Sequence, residues 1–131
     1  MIYLDTSVLL AEVLAEDTKP PSSFWQLPRI SSRLLEYETL VRLHAYRVEP
    51  EYLALARDLL SETALIELSP HVLERALEPF SKPVRTLDAL HLASLHYLHS
   101  ERAQKISLAT YDDRLQAAAK ALGIELHDWV S

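Results

Sequence analysis

Acidic residues in this chain recur beside apolar runs, where an isolated charge is costly. Asp5 ends the run Ile2, Tyr3, Leu4 and is followed by two hydroxyls, Thr6 and Ser7. Asp88 lies among Leu87, Ala89, Leu90 and Leu92, and Glu38 among Leu35, Tyr37, Leu40 and Val41. Asp112 and its neighbour Asp113 follow Thr110 at the end of the stretch KISLAT. A buried carboxylate without a partner is either strongly unfavourable or neutralised by a raised pKa. Two of them about 4 Å apart repel by about 4 kcal/mol at an effective dielectric of about 20, so a convergent set calls for a cation. The chain has no cysteine, which excludes thiolate nucleophiles and cysteine-bound zinc. An all-oxygen set suits Mg2+ or Mn2+, and such a site can orient or ionise a water for in-line attack on a phosphodiester.

Three of these acids also have an ordinary explanation, whereas Asp88, on a helix expected to be mostly buried, needs a partner or a metal. Asp5 and Asp112 sit where aspartate caps a helix N-terminus, and Glu38 is spaced to pair with Arg42 along a helix. Two acids have close competitors. Glu36 lies about 200° round the helix from Glu38, so only one of them can face a site. Asp113 doubles Asp112. The helical register and the strand-to-helix boundary favour Glu38 and Asp112.

The elements that would position these groups alternate. Residues 2–5, 29–32, 64–69, 105–110 and 124–130 read as strands, and 7–15, 34–47, 50–61, 70–77, 86–99 and 112–122 as helices, the last stopped by Gly123. Thr6 or Ser7 is placed to cap the first helix. Residues 16–28 and 78–85, rich in proline, read as loops, the former with room for a short helix. The helix over 86–99 is nearly apolar all round, which predicts burial. No hairpin signal occurs, and the order favours an α/β fold with a parallel sheet. Ligands of such folds bind beyond the carboxyl ends of the strands, where Asp5, Asp112 and Asp113 fall.

Composition narrows the function further. With 131 residues, 49% of them apolar, the chain suits a single domain over 1–131. It shows neither a long apolar span nor a leader pattern, so a cytoplasmic protein with no membrane contact is expected. The single glycine removes both the dinucleotide fingerprint and the P-loop. The net charge of −6 argues against a broad basic surface but leaves room for a local basic rim. Arg29, Arg33, Arg42, Arg47, Lys82, Arg85 and Arg114 are candidates for that rim, or for surface ion pairs. Phe24 and Trp25 suit either base stacking or, in preference, anchoring of their loop to a core or an oligomer interface. His96 and His99 have no evident third ligand, and His91, one turn from Asp88 and able to hydrogen-bond to it, reads in preference as structural support or packing and otherwise as an outer partner of the site. A haloacid-dehalogenase-type phosphatase would need an aspartate in place of Ser7, and a receiver domain a late lysine that SLATYDD lacks; neither accounts for Glu38 and Asp88.

Four segments together resemble a known family. YLDTSVLL, SSRLLEYETL, LDALHLAS and ATYDDRLQAAAKALG are similar, in order, to the acidic motifs of PIN-domain ribonucleases, and within them of VapC-type toxins from toxin–antitoxin pairs. The resemblance implies a PIN-like three-layer α/β/α fold with a small central parallel sheet. It makes Asp5, Glu38, Asp88 and Asp112 the acidic quartet, with Asp5, Asp88 and Asp112 as ligands of Mg2+, or of Mn2+ in its place. Thr6, Ser7, Thr110 and Asp113 become auxiliary polar groups. Endoribonuclease activity, a homodimer and a cognate antitoxin protein are implied as well. A catalytically idle PIN-like module that binds RNA or protein, and a metal-dependent structure-specific DNA nuclease, are the alternatives.

Overall fold

Strands β1 (Ile2–Leu4), β2 (Arg29–Ser32), β3 (Ala64–Ile66), β4 (Ser107–Ala109) and β5 (Glu125–Leu126) form one sheet in a computed structural model that describes residues 1–102 and 105–129. The strand order is β3-β2-β1-β4-β5, and every pairing is parallel. Between the strands run α1 (Thr6–Val13), α2 (Arg33–Ala45), α3 (Pro50–Ser61), α4 (Pro70–Leu77), α5 (Thr86–Ser100) and α6 (Asp113–Ala121). A short 3-10 turn, Ser22–Gln26, occupies the first proline-rich loop.

The pleat sends alternate residues to opposite faces, and both faces are covered. Ile2 and Leu4 join Val8, Leu9, Leu35, Leu43, Ala56 and Leu60, so α1, α2 and α3 form one outer layer. Tyr3, Ile30 and Leu108 join Leu92, Leu95, Leu98, Leu115 and Ala118, which places α5 and α6 on the other. This is the expected three-layer α/β/α arrangement. From β1 the chain moves outward to β2 and β3, then returns across the sheet to lay β4 on the other side of β1. Chain connections from β1 and β4 thus lead to helices on opposite faces, and a crevice opens between their carboxyl ends.

The strands are shorter than their apolar runs. β4 pairs only where β1 has residues to offer, from Ile2↔Ser107 to Leu4↔Ala109. β3 stops at Ile66, opposite Ser32, because Arg33 already begins α2. β5 keeps two paired residues of the expected 124–130, and Val130 lies outside the described residues. The cap of α1 is neither Thr6 nor Ser7 but Asp5 itself, whose side chain accepts from the Ser7 N–H. Nor is α5 buried all round: Leu87 is exposed in its first turn, and Ala89 and Leu90 line a surface hollow shared with Leu73 and Leu77 of α4. The burial expected there is confined to one face and the later turns. At the end of α6, Gly123 takes φ +76°, and the amides of Gly123 and Ile124 return to the carbonyls of Lys120 and Ala119. This Schellman closure needs the left-handed conformation glycine adopts without strain.

Candidate active site

The crevice between β1 and β4 is built from side chains that fix one another. Asp5 leaves the end of β1 almost fully buried. Its Oδ2 accepts from the Ser7 hydroxyl at 2.6 Å and from the Thr110 hydroxyl at 2.7 Å, beyond the amide of Ser7 at 3.3 Å. Those hydroxyls are held in turn, since the Tyr111 amide donates to Ser7 Oγ at 3.1 Å and the Asp112 amide to Thr110 Oγ1 at 3.0 Å. A carboxylate at the start of α1 also faces the free N–H groups and positive end of that helix. Capping and site therefore coincide in Asp5.

Asp112 does the same at the start of α6. Its Oδ1 accepts from the amides of Arg114 at 2.8 Å and Leu115 at 3.2 Å, leaving Oδ2 for Arg85 Nη2 at 2.5 Å. Arg85, at the residue preceding α5, donates through Nε to Asp88 Oδ2 at 3.0 Å. One guanidinium thus joins acids from two helices. Burial pushes the Asp88 carboxyl above its usual range; Arg85 opposes this, and the charges of Asp112 and Asp5 add to it. Asp5, Asp88 and Asp112 are accordingly close enough to feel one another.

Glu38 reaches the same region from α2 by a different route. Its Oε1 lies 2.6 Å from His91 Nε2 and accepts from Thr6 Oγ1 at 3.0 Å. His91 Nδ1 meets the hydroxyl of the buried Tyr3 at 2.9 Å. Burial alone would raise the Glu38 carboxyl, but the bond and charge of His91, the bond from Thr6 and the charge of Arg42 outweigh it and hold it below its usual range. His91 is the mirror case: burial would lower it, and Glu38 together with the charges of Asp5 and Asp88 raises it.

Several sequence expectations change here. His91 supports Glu38 rather than Asp88, because its two ring nitrogens are taken by Glu38 and Tyr3 while Asp88 is bonded by Arg85. Arg42 acts on Glu38 only as a charge at a distance; the direct bonds come from His91 and Thr6. Glu36 is turned to Arg33 at 3.8 Å and lines a different hollow with Leu40 and Arg57. Asp113 is exposed and lines a hollow with Lys19, Tyr111 and Trp129. Arg29 leaves the candidate rim altogether. It is buried, donates to Thr63 Oγ1 at 3.2 Å and to the Trp25 carbonyl at 2.6 Å, and lies over the Trp25 ring at 5.0 Å. Phe24 is buried in the core beneath the same loop, so this aromatic pair anchors the loop. Arg33 is engaged by Glu67 at 2.9 Å. His96 accepts from Arg75 at 3.1 Å.

The fit of a cation can be tested on this geometry. The donors are hard carboxylate oxygens, and Asp88 and Asp112 already share one positive group, which matches the chemistry of Mg2+. Among the described residues, no three histidine, aspartate or glutamate side chains stand together as a ready-made metal site. The shared position between Asp88 and Asp112 is held by Arg85. The donor set suits the ion, provided that Arg85 moves aside.

Sequence reasoning missed the parts played by Tyr3, His91 and Arg85. The separation of 88 positions between Tyr3 and His91 hides that contact from any local pattern. Arg85 carried a local signal, its spacing of three from Asp88 at a helix start.

Comparison with known proteins agrees with this architecture. The family described as PIN domain matches residues 2–121. Ribonuclease VapC35 of Mycobacterium tuberculosis is 33% identical over 129 residues, which is 95% of this chain and 93% of that protein. Ribonuclease VapC46 of the same species is 34% identical over 128 residues, 94% of this chain and 93% of that protein. No solved structure matches the chain at a significant level. Among the described residues, no helix is long and apolar enough to cross a membrane. With the family match spanning all six helices and four of the five strands, and these two relatives aligned almost end to end, the chain belongs to the PIN domain family, in its VapC branch.

Proposed function

We propose that this protein is a Mg2+-dependent endoribonuclease, the toxin of a toxin–antitoxin pair. The observation that carries the reading is the Arg85 guanidinium shared by Asp88 and Asp112, which shows acids from two elements converging on one positive charge, with Asp5 beside them at the carboxyl ends of β1 and β4. Two relatives whose names include ribonuclease support it. The antitoxin partner and the homodimer belong to the same proposal through the family resemblance.

In this reading Asp5, Asp88 and Asp112 hold Mg2+, or Mn2+ in its place. When bound, the ion supplies charge to the scissile phosphate and raises the acidity of water at the site. Ser7 and Thr110 hold the Asp5 carboxylate, and the α6 amides hold Asp112, so neither acid must reorganise as substrate arrives. Glu38 has Oε1 fixed by His91 and Thr6, which leaves Oε2 to orient the attacking water. Water adds at phosphorus, the bond to the 3′ oxygen breaks, and that oxygen takes up a proton. The products carry a 5′-phosphate and a 3′-hydroxyl. No side chain becomes covalently attached.

The test is cleavage of a mixed RNA pool by purified protein with Mg2+ or Mn2+, with loss of cutting in chelator. Asp5→Asn and Asp88→Asn should each lose more than about 100-fold, beyond what loss of an outer hydrogen-bond partner costs, with circular dichroism unchanged. Undiminished cleavage by both variants would overturn the assignment. Cleavage of DNA at the same rate would move the substrate class.

A further inference from the structure

We propose that Arg85 is a built-in cation that exchanges places with the metal: it bridges Asp88 and Asp112 in the metal-free protein and swings to the substrate side when the ion enters. The inference rests on the reading of the acidic group as a metal site.

The geometry is that of a bridge. Nε meets Asp88 Oδ2 and Nη2 meets Asp112 Oδ2, one nitrogen for each acid. Asp88 stands in the first turn of α5 and Asp112 caps α6, and among the described residues no other side chain bonds to both. A guanidinium brings one positive charge to this place, and the charge of Asp5 also reaches it. A divalent ion bound to the same oxygens cannot coexist with the guanidinium there, because like charges at contact distance repel and each oxygen's lone pairs face the ion. Leaving is easy for Arg85. Its side chain is 61% exposed, so little burial is lost.

The destination is already formed. Arg85 also lines an open hollow of about 490 Å3 with Lys82, Pro83, Val84, Arg114 and Ala117. This is a concentration of cations in a chain of net charge −6. Its place beside the acids suits the phosphates that flank the scissile bond, and a freed guanidinium fork matches a phosphate better than an ammonium does. Metal entry would therefore add one cation to the surface that receives RNA.

The test is titration calorimetry of the whole protein with Mn2+ and, separately, Mg2+. Arg85→Gln removes the competing cation and should bind Mn2+ about tenfold more tightly, the loss of one partly exposed charge-assisted contact expressed as affinity. Arg114→Gln removes a neighbouring charge whose side chain does not bridge the acids, and should shift affinity less than about twofold. In chelator, Arg85→Gln should melt below the wild type, and Mn2+ should restore it. Equal or weaker Mn2+ binding by a folded Arg85→Gln variant overturns the exchange. If the wild type then still binds Mn2+ and cuts RNA, the nuclease reading stands alone. If neither protein binds either ion, both fall.

Discussion

Glu38 and His91 are 53 positions apart in the chain and meet at 2.6 Å, with the ring of His91 2% exposed and the carboxylate 10%. Folding thus raises the proton affinity of His91 and lowers that of Glu38. For His91 the resulting stability is full below its ordinary value near 6.5 and is lost as pH rises through the higher folded value. For Glu38 it is present above its ordinary value near 4.5 and lost as pH falls through the lower folded value. The pair is therefore strongest between those two ordinary values. His91→Gln should cost about 2 to 3 kcal/mol there, the scale of a buried charge-assisted bond. Denaturant unfolding from pH 5 to 9 should show that cost shrinking above neutrality; a constant difference would mean His91 is neutral throughout.

The twin acids separate by environment, and mutation should separate them too. Asp112→Ala removes the acceptor of two α6 amides as well as a contact of Arg85, so it should abolish RNA cleavage and cost about 1 kcal/mol of stability. Asp113→Ala, at an exposed position, and Glu36→Ala, at a half-buried one turned to Arg33, should leave cleavage within about twofold, since neither touches the acidic group. Parallel assays of the three variants decide the matter. A dead Asp113→Ala beside an active Asp112→Ala would reverse the assignment.

Much of this molecule is legible in its sequence, for identifiable reasons. The strand-helix alternation, the stop at Gly123 and the placement of Asp5 and Asp112 at strand ends are local consequences of apolar runs and capping chemistry. Strand lengths are not local: β4 is limited by the three residues of β1, and β3 by the start of α2. The contacts that orient Glu38 are equally hidden, because His91 meets it, and Tyr3 meets His91, only once α5 and α2 have packed on opposite faces of the sheet. Arg29 shows the same limit in reverse. Its charge suggested a surface role, whereas Thr63 and three backbone carbonyls accommodate it inside.

Ser7 and Thr110 should prove to be positioning groups. Both hydroxyls donate to one oxygen of Asp5, and each also accepts an amide from the segment leading into α6. Removing either loosens Asp5 and the approach to Asp112 together. Ser7→Ala and Thr110→Val should each reduce kcat by about 10- to 100-fold, the cost of losing an outer partner of a ligand, and should raise the Mn2+ concentration needed for half-maximal rate. The double variant should lose less than the product of the two, since both act through the same carboxylate. Full activity in both singles would show that the carboxylate holds its place unaided.

Arg29 and Arg114 should divide stability from RNA binding. The guanidinium of Arg29 satisfies the carbonyls of Trp25 and Leu27 beneath the loop that carries Phe24, so Arg29→Met leaves part-buried acceptors without that partner. A loss of about 1 to 3 kcal/mol is expected in all, with RNA affinity of the folded fraction unchanged. Arg114 lines the cationic hollow with Lys82 and Arg85, and only its backbone amide serves the helix cap. Arg114→Gln should therefore keep the melting temperature and weaken binding of an uncleaved RNA in chelator, with a shallower dependence on salt because one phosphate contact fewer releases counterions. Unfolding and fluorescence-anisotropy titrations at two salt concentrations measure both halves. If Arg29→Met weakened RNA binding while the melting temperature stayed fixed, the charge inside the fold would have to act at the surface after all, and the division between these two arginines would fail.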